Sequence, residues 1–138
     1  LWQRRYVEHG NGVSALAGLV RGVTSVEEAS ARYRRLFQRQ TISRPVGHTM
    51  RTEQGTLYLV TEQNARALLG DAPVPTAPCM VSYVLRCTNI EAFLSAALSG
   101  GAALASRARG AAVVRLPQAL GASIIAVEQD GDVLELLR

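Results

Sequence analysis

The sequence predicts an α+β domain built from two tandem β-α-β-β-β units, and three observations predict it. Capped helix starts recur, at Thr24-Ser25-Val26-Glu27 and again at Thr88-Asn89-Ile90-Glu91. Further along, Gly55 to Gln63 (GTLYLVTEQ) and Gly121 to Gln129 (GASIIAVEQ) align without a gap. Between the copies lies Asp71 to Pro78 (DAPVPTAP), a proline-rich and therefore stiff, extended linker. A duplicated half-domain follows: a lead-in at 1–12, module one at 13–70, the linker at 71–78 and module two at 79–138.

Each element has a local reason. Gly10-Asn11-Gly12 supplies a turn, and Val13 to Val23 is a mostly apolar strand. Thr24 and Ser25 can cap a helix with Glu27 and Glu28 placed for a capping box, and Val26, Ala29, Tyr33, Leu36 and Phe37 recur at helical spacing as its core face. A second strand is expected within Gln40 to Ser43 and a third over His48 to Thr52. A turn at Glu53-Gln54-Gly55 leads into the fourth, Thr56 to Thr61, and a short helix, Asn64 to Leu69, closes on Gly70. In the second copy the strand Cys79 to Cys87 precedes a helix with a buried face of Ile90, Phe93, Leu94, Ala97 and Leu98, ended by Gly100-Gly101. Strands are then expected at Ala103 to Ser106, Ala111 to Leu116 and Ser123 to Glu128, with Asp130-Gly131 turning into a last strand, Val133 to Leu137.

The 138 residues suffice for one domain with a core that needs no disulfide or metal staple. All 15 basic residues are arginine, which reads as a habit of bacterial base composition, and the net charge of +4 suits an acidic ligand. The arginines are scattered from Arg4 to Arg138 without interleaved aromatics, so no nucleic-acid partner is expected; Arg32, Arg34, Arg35 and Arg39 read as a solvated helix side. Cys79 and Cys87, at the two ends of one strand, are too far apart to bridge and are expected as reduced core thiols. No apolar run approaches the roughly 20 residues that cross a bilayer, and the first residues carry no leader pattern, so a cytoplasmic protein without a membrane partner is expected. Leu1 in place of Met points to a piece of a longer chain.

The repeat, the helix end ARYRRLF, the first strand AGLVRGV, and the segments GHTMRTEQGTLYLV and MVSYVLRC together resemble the vicinal oxygen chelate superfamily, in particular its glyoxalase-like domains of the glyoxalase/bleomycin resistance/dioxygenase type. The resemblance covers nearly the whole chain. It implies a curved, cup-like mixed sheet with helices on the outside, and association either as a homodimer or with another module of a longer chain. It also implies, for metal-dependent members, four ligands inside the cup, on the first and last strand of each copy. Those positions fall here on Gly18, Ser82, Val60 and Ala126, and none is a usable ligand beyond one hydroxyl. With only His9 and His48 in the chain, no metal cofactor is expected. A register two residues on brings in Glu62 and Glu128, the alternative pair for a divalent ion such as Mg²⁺ or Mn²⁺.

Strand alternation sends Met80, Ser82, Val84 and Arg86 into the cup and puts Cys79, Val81, Tyr83, Leu85 and Cys87 under the helix. Arg86 then needs an anion, either a ligand's carboxylate or phosphate or an internal Glu128 or Glu62. His48 is the candidate general base, with Glu53 or Glu62 as orienter; otherwise it is a hydrogen-bonding surface residue. Met50 and Tyr58 supply an apolar wall. The expected function is a metal-free domain that binds a small, anionic organic molecule in the cup through Arg86, Ser82, Glu128, Glu62 and His48. The alternatives are a metal-dependent lyase, isomerase or dioxygenase with an atypical ligand set, and a non-catalytic dimerising domain whose cup is filled by its own side chains.

Overall fold

The computed structural model describes residues 9–117, 120 and 122–137; most of the lead-in, Gly121 and Arg138 lie outside them. Eight strands and three α-helices follow in the order β1 (Val13–Gly22), α1 (Val26–Phe37), β2 (Ile42–Arg44), β3 (Gly47–Arg51), β4 (Thr56–Val60), α2 (Glu62–Leu69), β5 (Cys79–Cys87), α3 (Ile90–Ser99), β6 (Ala103–Ala108), β7 (Ala111–Arg115) and β8 (Ser123–Val127), and a 3-10 helix spans Asp130–Leu137. All eight strands join one curved, unclosed sheet in the order β2-β3-β4-β1-β5-β8-β7-β6. Each module runs its first and last strands parallel (β1 with β4, β5 with β8), and the two modules meet edge to edge where β1 and β5 pair antiparallel. No helix among the described residues is long and apolar enough to cross a membrane.

The caps fall at the expected helix starts, on Ser25 of the Thr24-Ser25 pair and on Asn89 of the Thr88-Asn89 pair. Ser25 Oγ accepts from the Glu28 amide at 3.2 Å and Asn89 Oδ1 from the Ala92 amide at 3.0 Å, each satisfying an orphan N–H of a first helical turn. α1 and α3 lie on the outer face of the sheet. Leu57 and Leu59 of β4 pack with Val26 and Tyr33, while Ala112, Val114, Ile124 and Ala126 pack with Ile90, Phe93 and Leu94. Leu36 and Phe37 are exposed, not core, and Leu98 is exposed likewise.

The opposite, inner face carries the larger core. Tyr58, Val60, Val84, Val113, Ile125 and Val127 point inward, and they meet Leu68 and Leu69 of α2 and Val133 and Leu136 of the 3-10 helix. α2 leaves β4 in module one and ends against the far edge of module two: a Cβ built on Gly70 would sit 3.0 Å from the Ala105 carbonyl oxygen of β6. The hollow between the halves is thus bridged and filled by the protein's own side chains. The expected last strand at Val133 to Leu137 is helical instead; Val133 and Leu136, three residues apart, are both buried, which is the 3-10 repeat and not the strand repeat.

Two register effects correct the sequence reading. The gapless alignment pairs Val60 with Ala126, yet Val60 faces inward and Ala126 faces α3, so the residue that occupies Val60's place in module two is Val127. Irregularities in the β1–β5 pairing, one of them between Val20–Ser82 and Arg21–Met80, break the simple alternation of β5. Met80 therefore does not join Val84 on the inner face but lies 42% exposed on the outer one, and Cys79 packs against the inner core while Cys87 packs under α3. Both cysteines are free. Tyr83, expected beneath the helix, is 45% exposed.

Candidate functional site

Polar chemistry on the inner face gathers at its mouth, where Tyr58, Arg51 and Arg86 meet the first residue of the 3-10 helix, Asp130. Arg86 Nε donates to Asp130 Oδ1 at 3.1 Å, and its Nη2 donates to the same oxygen. Arg51 Nη2 reaches the other carboxylate oxygen, Oδ2, at 3.3 Å. Tyr58 Oη donates to the Asp130 carbonyl at 3.4 Å. The anion expected opposite Arg86 is therefore Asp130 and neither Glu128 nor Glu62. Two guanidiniums share one carboxylate, which leaves a formal positive charge. Their side chains stay 72% and 42% exposed, so N–H donors not spent on Asp130 face solvent.

Burial first and the nearby Asp130 carboxylate second push the Tyr58 phenol up from 10.0 to about 12. The unfolded chain releases this proton first as pH rises, so Tyr58 contributes stability that is fully present below pH 10 and is lost on the way to about pH 12. Tyr58→Phe is expected to flatten the fall of urea-measured unfolding free energy across that window. An unchanged slope would mean that the phenol is not held neutral by its surroundings.

The other candidate residues are spent elsewhere. Ser82 is buried and donates to the Ser123 carbonyl at 2.9 Å, tying β5 to β8. Glu62 opens α2 and pairs with Arg66 one turn on, at 2.7 Å. Glu128 Oε1 accepts from the Ile90 amide at 2.9 Å, so its charge sits at the N-terminus of α3. There, after burial itself, it raises the Cys87 thiol above its usual range. Glu62 and Glu128 thus do not form a pair. His48 lies on the outer side of the sheet beneath α1, its Nδ1 2.6 Å from the Oγ of buried Ser30, and Glu53, proposed as its orienter, pairs with Arg39 instead. Met50 and Tyr58 occupy opposite faces, because Met50 registers with Leu57 and Thr49 with Tyr58.

The other corner positions are occupied by packing. A Cβ on Gly18 would lie 3.2 Å from the Tyr58 ring, which occupies the place a first-strand side chain would take. Val60 is fully buried. Among the described residues no three of His, Cys, Asp and Glu come together as a metal-binding group. Sequence reasoning missed Asp130 and Arg51. The available signal was an acid just after the last strand, in reach of an arginine already expected to face inward.

No family model and no curated protein matches the chain. Among solved structures, methylmalonyl-CoA epimerase from Mycobacterium tuberculosis superposes with a TM-score of 0.65 at 14% identity, covering 91% of this chain and 94% of that one. Lactoylglutathione lyase from Agrobacterium tumefaciens (16% identity, 85% and 95% covered, TM-score 0.37) and a glyoxalase/bleomycin resistance protein from Albidiferax ferrireducens T118 (17%, 80% and 96%, TM-score 0.33) are also similar. The epimerase superposition carries the conclusion on the fold: the chain shares the fold of that epimerase, a curved mixed sheet with its helices packed against it. At such identity the likeness speaks for the fold alone.

Proposed function

We propose that this glyoxalase-like domain works without a metal and captures a small organic anion at the mouth of its inner face. The observation that carries this reading is the pair Arg51 and Arg86 on the single carboxylate of Asp130, an arrangement with one positive charge to spare and free donors toward solvent. A carboxylate or phosphate bound there shares the two guanidiniums with Asp130, and planar N–H pairs suit either group. The depth of the cup takes no part, since Leu68, Leu69, Val133 and Leu136 already fill it.

Calorimetric titration of the full chain with succinate and with inorganic phosphate, at low ionic strength, tests the reading. Saturable binding that weakens with added salt is expected, and Arg86→Gln and Arg51→Gln should each reduce affinity about tenfold, the scale of one charged hydrogen bond. Equal affinity in the native chain and in both variants would remove the mouth as the site.

A further inference from the structure

The outer face holds a second feature that the mouth does not explain: a groove of about 640 Å³ at the end of α1, over the seam of β1 and β5. Its floor is apolar, with Leu16 and Leu19 from β1, Leu57 from β4 and Met80 from β5. One wall is the stacked pair Tyr33 and Phe37, ring centres 5.9 Å apart and nearly parallel, and the other is the β3–β4 turn. Leu16, Phe37 and Met80 are 50%, 47% and 42% exposed, whereas comparable side chains on the inner face are closed off entirely. Arg21 also lines this groove, half-buried on the same face, and it has no ion-pair or hydrogen-bond partner among the described residues.

We propose that this groove binds a monoanion with an elongated apolar body, an alkyl or aryl-alkyl carboxylate, whose head pairs with Arg21 and whose tail lies along the floor toward Leu16. The volume falls in the usual range for small-molecule sites. At about 3.3 Å per strand residue the run from Arg21 back to Leu16 gives about 16 Å of length, enough for a medium-length chain. Charge selects this occupant over a second copy of the chain. The carboxylate at the groove, Glu53, is already paired with Arg39, so a copy seated on the same face brings another Arg21 and no acid to meet the first. An anion without an apolar body gains nothing from the floor, and a neutral amphiphile leaves Arg21 unpaired.

Octanoate and 1-octanol titrated into the full chain by calorimetry separate the possibilities. Octanoate is expected to bind at least about tenfold tighter than 1-octanol; Arg21→Gln should weaken octanoate about tenfold, and Arg21→Lys should retain most of the affinity. Succinate binding should survive Arg21→Gln, while octanoate binding should survive Arg86→Gln, so the two sites fail or stand separately. The proposal is overturned if octanoate does not bind, if 1-octanol binds as well, or if Arg21→Gln, with its melting temperature unchanged, binds octanoate like the native chain. It also falls if the chain sediments as a dimer that Met80→Arg splits, for then a second copy covers the groove.

Discussion

Leu68→Ala is expected to lower the unfolding free energy by about 2–5 kcal/mol, the range for deleting a fully buried leucine from a core that collapses poorly around the gap. The size follows from position. Leu68 sits on α2, which enters from module one and reaches β6 of module two, so its side chain packs a cluster drawn from both halves. A helix of 8 residues has little stability of its own, and it holds its place through the apolar face it buries. Urea denaturation followed by circular dichroism measures the effect. A loss below about 0.5 kcal/mol, typical of surface sites, would mean that α2 does not fill the inner face.

Gly18→Ala is expected to cost about 3 kcal/mol, for the opposite reason. An added Cβ would stand 2.3 Å from the Thr56 carbonyl oxygen, and that atom is backbone of the adjacent parallel strand and cannot swing aside. β1 lies between β4 and β5, so relief requires moving the seam between the modules. The same denaturation measurement applies, and a variant as stable as the native chain would show that β1 and β4 are further apart than described. Gly18 also shows why this position holds no chelating side chain: Tyr58 has taken the space, and its ring is part of the core.

Much of the fold was legible because its signals are local. Ser25 and Asn89 sit at helix starts with side-chain oxygens at fixed spacing from the amides they cap, and the unbroken apolar run in Ala111–Arg115 marks a strand with both faces covered. The proline-rich Asp71 to Pro78 runs between α2 and β5 without helix or strand. What failed was inference across strands. A strand has a period of two, so one irregular step moves a side chain to the other face; this separated Met80 from Val84 and set Cys79 and Cys87 on opposite sides. Val127 rather than Ala126 is the counterpart of Val60 because Gly18 pairs with Thr56 while Ser82 pairs with Ser123, one residue past the gapless alignment. The 3-10 helix escaped because DGDVLELL is short enough to satisfy either period.

The candidate site was legible to a lesser degree, since it depends on tertiary placement. Arg86 drew attention as a cation among apolar neighbours, but its partner Asp130 lies 44 residues away and beyond the repeat on which the alignment rested. Arg51 comes from β3, and nothing in its local sequence points to the same carboxylate. Glu62 and Glu128 were attractive as equivalent acids, yet each sits at a helix start, where its charge faces amides or an arginine one turn on.

On the proposed reading the corners of the cup, Gly18, Val60, Ser82 and Val127, are structural and hold no metal. Elemental analysis of the full chain isolated without chelator tests it most directly. Transition-metal content far below one ion per chain is expected, with no rise in melting temperature on adding Mn²⁺, Ni²⁺, Zn²⁺ or Fe²⁺; a stoichiometric ion that survives dialysis and stabilises the fold would overturn the metal-free reading.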